Sequence, residues 1–373
     1  MPDVQEVFRM ATQKVRPDPG ALERQLRGQR RRTVQRKVGG LVLAGALVAS
    51  AAVVAVQASH HGAQTPANNG RTPQPVPPQG EPTLTVPRAG GVGFSSDGSR
   101  LLVIGCCPVD SAGSVYDAVT GELLQSVDGG GMNEVVSAFS PDGDLFATAK
   151  LSAPVYTRVF TTATGKELWR FDGISCCASF SPDGRLLGAD HGVFDVVTGK
   201  RVNKFDPWGV MAFSPDSERL LISPDPEFGG GMVVGYVFDV RARGTDPVLT
   251  LRGNFGGGNV GAAWSPDGSM LATATNEGNV VVWDARTGAR MFAIDPPAGK
   301  FKSVAFSPDS TRLATGTSDG TAIVWELSGD GAKRILTLNA QDGEVAYVSI
   351  SPDGTRLMTS AWGEPTKVWA ITP

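Results

Sequence analysis

The chain has 373 residues, of which 47 are glycine and 26 are proline. These residues make up about a fifth of the chain, against a usual share of roughly 12%, which excludes a protein built mainly of long helices. A hydrophobic content of 41% also excludes a wholly disordered polymer. The net charge of -3 is unevenly spread, because residues 1–38 carry +6 and the remaining 335 residues carry -9. An acidic body argues against a nucleic-acid partner, which needs a basic surface.

Residues 1–37 are predicted to form a short, basic helical head in the cytoplasm. Asp3 and Glu6 have the spacing of a capping box. Apolar residues then recur at helical intervals on one face: Val4, Val7, Phe8, Ala11 and Val15. Pro17 ends this helix, and a second begins near Ala21. Because so short a pair buries little surface, we expect the apolar stripe either to dock on a cytoplasmic protein or to lie on the membrane surface.

A membrane-spanning helix is predicted over residues 38–59. From Gly39 to Ala58 the chain has 20 residues without a charge, enough to cross the roughly 30 Å hydrocarbon core of a bilayer at about 1.5 Å per residue. A cluster of arginines and a lysine directly precedes this run, whereas the next cation, Arg71, lies well beyond it. The positive-inside rule then places the N-terminus in the cytoplasm and everything after residue 60 outside.

Two alternatives to an uncleaved anchor stay open. Val56-Gln57-Ala58 resembles the cleavage site of a secretory signal, and the Arg31-Arg32 pair resembles a twin-arginine export signal. The anchor is favoured because 37 residues precede the apolar segment, whereas signal peptides have short leads.

Residues 60–81 form the next segment. They contain five prolines and no cluster of aliphatic residues. This composition predicts a linker that is stiff in its polyproline part and flexible elsewhere.

Residues 82–373 repeat one short phrase seven times. The phrase reads FSPDG or a close variant, followed by apolar residues. Its copies begin at Phe94, Phe139, Phe180, Phe213, Trp264, Phe306 and Ile350. They lie about 43 residues apart, the length of a four-stranded blade of a β-propeller. Ser, Pro and Gly at the first, second and fourth positions are typical of a type I turn, so each phrase predicts a hairpin between two inner strands.

A second hairpin is predicted about twenty residues after several of these phrases. Its marker is a Thr-Gly pair that follows a run rich in Val, Tyr, Phe or Trp. The pairs are Thr120-Gly121, Thr164-Gly165, Thr198-Gly199 and Thr287-Gly288. The predicted fold class is therefore all-β, a seven-bladed β-propeller of four-stranded antiparallel blades, preceded by one transmembrane helix and a short helical cytoplasmic head.

Two stretches carry a family resemblance. VVVWDARTG from Val280 and SDGTAIVWEL from Ser318 resemble the WD-repeat family, and the recurrent FSPDG is similar to the related TolB-type propellers. The resemblance covers about residues 82–373 and implies architecture rather than activity. The family's Gly-His pair before the first strand is missing, since the only histidines are His60, His61 and His191. The His-centred polar network is therefore not expected in its usual form, which favours a divergent bacterial type of the family. Together with the anchor predicted over residues 38–59, the expected type is a membrane-anchored one.

The ring is predicted to be closed by a strand from the start of the body. The last repeat ends with a third strand at residues 367–371, and no fourth strand follows. Residues 83–86 resemble the fourth strands at residues 248–251 and 335–338. We therefore expect residues 83–86 to pair with the strand around Val368, which removes an exposed sheet edge.

The two faces of this disc are predicted to differ. All SPDG and Thr-Gly hairpins fall on one face, and longer irregular connections fall on the other, where binding residues usually concentrate. The predicted contact residues on this second face are Trp208, Phe228, Phe255, Trp362, Asp110, Asp225 and Glu227. The alternative is that these aromatic residues only cover strand ends or the central channel.

Four cysteines form two adjacent pairs on the same face, Cys106-Cys107 and Cys176-Cys177. An extracytoplasmic location permits disulfides, and because a whole repeat separates the pairs, two bridges between sequence neighbours are favoured over cross-links. Neighbouring cysteines reach bonding geometry only with backbone strain, so such bridges would be easily reduced. Free buried thiols and a soft-metal site are the alternatives.

Two motifs known from enzymes are not interpreted as active sites. Residues 316–320 match G-x-S-x-G, yet they join two strands, whereas a nucleophile elbow needs a strand, a turn and a helix. Residues 256–261 match G-x-G-x-x-G, yet no helical pattern follows. No catalytic residue, metal site or cofactor is therefore predicted.

The predicted function is a membrane-anchored, extracytoplasmic module that binds a protein, a peptide or an envelope polymer through the irregular face. In a second version the protein is a transmembrane sensor whose head passes the ligand state to a cytoplasmic regulator. The alternative class is an enzyme, a propeller hydrolase or a cofactor oxidoreductase with its site at the channel mouth, for which the sequence offers only carboxylates.

Overall fold

The computed structural model describes fourteen stretches of the chain, all within its second compact unit, Gly45–Pro373. They are residues 80–87, 92–103, 113–127, 134–150, 156–172, 178–189, 192–205, 209–224, 233–242, 245–253, 259–275, 278–329, 331–361 and 363–371. The predicted head, membrane helix and nearly all of the linker lie outside the described residues, so those predictions stay untested. Within the stretches that the structure describes, no helix has the length and apolar character needed to cross a membrane.

The described residues form 28 strands in seven antiparallel sheets of four strands each. The first strand, β1 (Leu84–Val86), joins the last sheet. Blades 1 to 3 comprise β2 (Val92–Phe94), β3 (Arg100–Val103), β4 (Gly113–Asp117), β5 (Leu123–Val127), β6 (Glu134–Phe139), β7 (Leu145–Lys150), β8 (Tyr156–Thr161), β9 (Glu167–Asp172), β10 (Ser179–Phe180), β11 (Leu186–Ala189), β12 (Gly192–Asp195) and β13 (Arg201–Lys204). The seven-bladed all-β propeller predicted from the sequence is confirmed.

Blades 4 to 7 continue the same order of strands. They comprise β14 (Gly209–Phe213), β15 (Arg219–Pro224), β16 (Val233–Asp239), β17 (Leu249–Arg252), β18 (Asn259–Trp264), β19 (Met270–Thr275), β20 (Val280–Asp284), β21 (Arg290–Ile294), β22 (Phe301–Phe306), β23 (Arg312–Thr317), β24 (Thr321–Ser328), β25 (Gly331–Asn339), β26 (Tyr347–Ile350), β27 (Arg356–Ser360) and β28 (Thr366–Ala370).

Each blade begins at the centre of the ring and ends at its rim. The first strands of neighbouring blades, such as β18, β22 and β26, contact one another, whereas the fourth strand is the outermost member of each sheet. Because successive strands run antiparallel, the first and third connections of every blade lie on one face, here called the turn face. The second connections, and those that lead to the next blade, lie on the opposite loop face. The predicted division into two faces is therefore confirmed.

The apolar core lies between the blades rather than within one central mass. Buried side chains form seven clusters, and each cluster joins two neighbouring blades. In β20, Val281 and Trp283 pack towards blade 4, whereas Val280 and Val282 pack towards blade 6. Alternate residues of a strand point to opposite sheet faces, so a strand buried on both faces is apolar at every position. This is why the strands read as continuous apolar runs in the sequence.

The SPDG phrase forms a turn that its own side chains lock. In blade 5 the Gly268 N–H donates to the Ser265 carbonyl at 2.9 Å, as a type I turn requires. The Ser265 hydroxyl donates to the Asp267 carboxylate at 2.6 Å and accepts the Met270 N–H at 2.8 Å. The same carboxylate accepts the Ser269 N–H at 3.0 Å. Burial acts to raise the pKa of Asp267, but these hydrogen bonds outweigh it and hold the pKa below its ordinary value.

The fourth position of this turn needs a left-handed backbone, which glycine adopts without strain. Gly268 has a φ of 73°. In blades 4 and 6 a serine stands at the fourth position of the turn instead, with a φ of 62° at Ser217 and 61° at Ser310. Each serine hydroxyl accepts a backbone N–H from the turn of the preceding blade, that of Asp183 at 3.2 Å and that of Asp267 at 3.1 Å. A hydrogen bond between blades thus accompanies the strained conformation in both.

The ring closes as predicted, because β1 supplies the fourth strand of blade 7. Leu84 pairs with Val368 and Val86 with Thr366, and the Thr83 N–H donates to the Val368 carbonyl at 2.7 Å. Val86 is fully buried in the cluster that joins blades 7 and 1. This register makes β1 run from the turn face to the loop face.

We predict that Val86→Asp destabilises the propeller by about 2 to 4 kcal/mol, because it puts an unpaired carboxylate into the cluster that closes the ring. Thr85→Asp is the matched control, since Thr85 is exposed in the same strand. It should change the free energy of unfolding by less than about 0.5 kcal/mol. Urea unfolding of both variants measures the difference. Equal effects would contradict a closing role for β1.

Candidate functional site

The contact residues predicted from the sequence lie outside the described residues. They are Trp208, Phe228, Phe255, Trp362, Asp110, Asp225 and Glu227, together with Cys106, Cys107, Cys176 and Cys177. Their roles therefore remain predictions. The structure does describe much of the loop face at blades 5 to 7, and the candidate site is built from that region.

The connection from blade 6 to blade 7, residues 340–346, is the centre of this region. Its backbone is held first by its own blade. The N–H groups of Ala340 and Gln341 both donate to the Gly320 carbonyl, at 2.9 and 3.1 Å. At its other end the Val345 N–H donates to the Thr317 carbonyl at 2.9 Å. The connection therefore follows the short turn between β23 and β24.

The next blade holds the same connection from the other side. The Glu364 carboxylate accepts the Gly343 N–H at 2.6 Å and the Asp342 N–H at 2.9 Å. The Lys367 ammonium donates to the Ala340 carbonyl at 2.8 Å. Hydrogen bonds to ionised groups are among the stronger ones in proteins, so the connection is fixed at its base by charged side chains of blade 7.

An ion pair links the innermost strand of blade 6 to this connection. Lys302 of β22 lies 3.0 Å from the Glu344 carboxylate. Both side chains are partly exposed, so solvent screens the pair and it contributes little to stability. It does place a neighbouring cation and anion on the loop face.

A glutamine takes part in a polar network where WD repeats commonly use histidine. The buried Gln341 amide donates to the Thr359 hydroxyl and carbonyl, each at 3.2 Å. The Trp369 indole N–H donates to the same hydroxyl at 2.9 Å. In blade 7 the polar network is thus built from glutamine, threonine and tryptophan, without histidine.

In blades 5 and 6 the described residues include the tryptophan and threonine part of this network. Trp283 donates to Thr273 at 3.0 Å, and Trp325 donates to Thr315 at 2.9 Å. In blades 5 to 7 the threonine precedes its tryptophan by ten residues. That spacing is the sequence signal that identifies these buried hydroxyls, and the sequence interpretation missed it.

The connection from blade 5 to blade 6 is held in the same manner. The Lys300 N–H donates to the Ser318 hydroxyl at 3.0 Å, and the Ser318 N–H donates back to the Lys300 carbonyl at 2.8 Å. The Phe301 N–H donates to the Gly278 carbonyl at 3.0 Å. Each described connection between these blades therefore lies between the short turns of its own blade and the next.

The turn between β23 and β24 carries an ionised carboxylate. Burial acts to raise the pKa of Asp319, but hydrogen bonds from Thr317 and Thr321 outweigh it and hold the pKa below its ordinary value. Asp319 is therefore negatively charged at neutral pH and stabilises the turn. The Asp319 side chain is exposed. Lys300, in the connection from blade 5 to blade 6, and Asp342, in the connection from blade 6 to blade 7, are exposed as well. The described part of the loop face thus presents fixed charges of both signs.

The two enzyme-like motifs have the surroundings that the sequence predicts. Residues 316–320 connect β23 to β24 without a helix, and the last three residues of the 256–261 motif belong to β18. Among the described side chains there is no group of three or more His, Cys, Asp or Glu residues that could hold a metal ion.

Comparison with known families matches two parts of the chain. The family described as "WD domain, G-beta repeat" matches residues 245–284 and 297–326, which include most of the strands of blades 5 and 6. These are the repeats in which the resemblance to WD repeats is strongest in the sequence. The propeller fold and the WD-repeat match therefore agree. Neither finding supports the narrower TolB-type or bacterial membrane-anchored assignment.

Comparison with solved structures supports the fold alone. A chain in the "Crystal Structure of Mitotic Checkpoint Complex" has a TM-score of 0.65 and 20% sequence identity, over 81% of this chain and 99% of that chain. Because 1724 solved chains match, similarity to any one of them says nothing about this chain's own partners. No curated protein matches the chain.

We predict that Glu364→Ala speeds hydrogen exchange at the amides of Asp342 and Gly343 by about tenfold or more, because both N–H groups lose a charged acceptor. Glu364→Gln should have a smaller effect, since an amide oxygen still accepts. Glu122→Ala, an exposed change on the turn face, is the control and should leave both amides unchanged. Hydrogen exchange at these two amides can be measured by NMR or mass spectrometry. Unchanged protection in Glu364→Ala would show that the carboxylate does not hold the connection.

Proposed function

We propose that this chain is a binding scaffold, a rigid propeller that holds another protein on its loop face. The difference between the two faces is the observation that carries the proposal. On the turn face, SPDG side chains are used in hydrogen bonds within their own turns, with the same pattern from blade to blade. On the loop face, the connections differ in length and sequence, and those described have a fixed base and exposed charges.

Rigidity supports this assignment because a preformed surface loses little entropy when a partner binds. The connection at residues 340–346 is held by both adjacent blades, so Asp342 is presented from an ordered backbone. Nearby Asp319 and Lys300 add charges that favour a partner with complementary charges. A peptide or an envelope polymer is the alternative ligand for the same face.

The enzyme alternative gains no supporting observation from the described residues. The carboxylates with shifted pKa values, for example Asp267, Asp309 and Asp353, all have lowered values caused by hydrogen bonds within turns. A general acid would need a raised pKa in a cleft. These shifts therefore indicate structural aspartates.

A membrane tether is the second part of the proposal. The uncharged segment at residues 38–59 and the cations before it support an anchor with a cytoplasmic N-terminus and an extracytoplasmic propeller. The direction of β1 is compatible with this arrangement, because the chain leading from residue 80 starts at the turn face.

The binding face can be tested by site-specific photo-crosslinking in cells that express the full chain. The photoreactive residue p-benzoylphenylalanine replaces exposed Ala298 or Asp342 on the loop face, or exposed Val119 or Val197 on the turn face. We expect adducts with a second protein from the loop-face positions only. Trp208→Ala combined with Phe228→Ala should reduce their yield. Adducts from the turn face alone, or none from the loop face, would contradict the proposal.

The tether can be tested by protease protection in spheroplasts of an expressing bacterium. A tag at Pro373 should be digested in intact spheroplasts, whereas a tag at Met1 should be protected until lysis. A cytoplasmic protein that stays intact is the control for leakage. Digestion of the C-terminal tag only after lysis would overturn the topology. Release of a propeller without the N-terminal tag would indicate a cleaved signal instead.

A further inference from the structure

The outer hairpin of blade 6 is longer than that of the other blades. Strands β24 and β25 have 8 and 9 residues, whereas the other outermost strands have 3 to 6. In blade 5, Trp283 pairs with Arg290, and in blade 6, Trp325 pairs with Arg334. The segment between these partners is two residues longer in blade 6. It continues the ladder where blade 5 has a Thr-Gly turn.

The added part of the hairpin is supported by the core. Glu326 pairs with Lys333, Leu327 with Ala332 and Ser328 with Gly331. The side chains of Leu327 and Ala332 pack against the buried cluster between blades 5 and 6. The hairpin is therefore an ordered extension of the sheet on the turn face.

No strand among the described residues pairs with the outer side of β25. Strand β25 is the last strand of its sheet, and its pairing partner β24 covers only the inner side. The Ala340 N–H donates to the Gly320 carbonyl, and the register places Thr321 opposite Asn339. Because bonded and non-bonded pairs alternate in an antiparallel ladder, the backbone N–H and C=O groups of Asn339 and Thr337 point away from β24. A long open edge of this kind is a template for another strand.

The charges on this edge select its partner. The sequence of β25 contains two cations, Lys333 and Arg334, and no acidic residue. Both cations are exposed. Among the described residues that pair between β24 and β25, the one acidic residue is Glu326, which lies opposite Lys333. Next to them Ile335 is 42% exposed. Like charges disfavour edge-to-edge pairing with a second copy, whereas an acidic strand complements the edge.

We propose that the open edge of β25 binds an extended acidic segment of another protein as a fifth strand of blade 6. Backbone hydrogen bonds to Thr337 and Asn339 supply the pairing. Lys333 and Arg334 attract the acidic side chains, and Ile335 contacts an apolar side chain of the same segment. This surface lies on the rim of blade 6, along the outer side of β25, and ends next to the 340–346 connection. It adds a rim contact to the proposed scaffold.

The test uses the full-length protein in mild detergent and a fluorescent peptide of eight residues that alternates valine and glutamate. Anisotropy measures binding. We expect saturable binding that weakens as salt rises, and at least about tenfold weaker binding of a matched valine and lysine peptide. An acidic peptide that is N-methylated at alternate residues should also bind about tenfold more weakly, because it lacks backbone donors.

Two pairs of variants locate the site. Thr337→Pro removes an N–H that points outward and keeps the hydrogen bonds between β24 and β25. It should therefore weaken peptide binding about tenfold. Thr337→Val keeps the N–H and should bind the peptide like the unchanged protein. Lys333→Glu with Arg334→Glu should abolish binding. The control is Lys200→Glu with Arg201→Glu, the same charge change at the short outer strand of blade 3, which should have no effect beyond about twofold.

The outcomes are distinct. Equal binding of the acidic and lysine peptides, or loss of binding in the blade 3 control, would overturn the proposal. Unchanged binding in Thr337→Pro would also do so. If circular dichroism shows that Thr337→Pro does not fold, the N-methylated peptide decides the role of backbone pairing. The protein could also dimerise at high concentration. If the double variant Lys333→Glu with Arg334→Glu changed this dimerisation, the edge would bind a second copy, and the proposal of an acidic partner would be overturned.

Discussion

Burial of both faces of every blade is the constraint on which this structure depends. Each of the seven buried clusters joins two neighbouring blades, so no blade is stable unless it is covered on both sides. A row of blades with two free ends would expose apolar surface at each end. Closing the ring removes both ends at once, and the three residues of β1 complete the last blade and its cluster with blade 1.

The same architecture separates stability from recognition. The turn face is made of hairpins that stabilise themselves through serine, aspartate and backbone groups close in sequence, which is why the same short phrase recurs in each blade. The described connections of the loop face depend instead on contacts with the next blade, such as those from Glu364 and Ser318. Their bases are fixed by the frame, while exposed residues such as Asp342 are free to vary. A surface of this kind can change its partner without disturbing the fold.

Local and periodic features could be predicted from the sequence, and contacts between blades could not. The phrase repeat gave the blades and their hairpins, and the missing fourth strand identified residues 83–86 as the closing strand. Gln341 and Glu364 were missed because each acts across two blades and neither recurs at the repeat period. The longer hairpin of blade 6 was also missed, since its extra residues replace a Thr-Gly marker. The predicted contact residues, among them Trp208 and Phe228, and the paired cysteines lie outside the described residues, so their roles are still predictions.

The joining of β1 to β28 also sets the order in which the molecule can be completed. Thr83 and its partner Val368 are 285 positions apart, so the first strand of the propeller has no mate until almost the whole polypeptide has been made. During synthesis the early blades can pack on one another, but the annulus stays open until residue 368 emerges. Loss of β28 near the C-terminal end would therefore leave β1 without its pairing partner, just as loss of β1 would leave β28 with an open outer side. The two ends of the domain are one functional unit despite their distance along the chain.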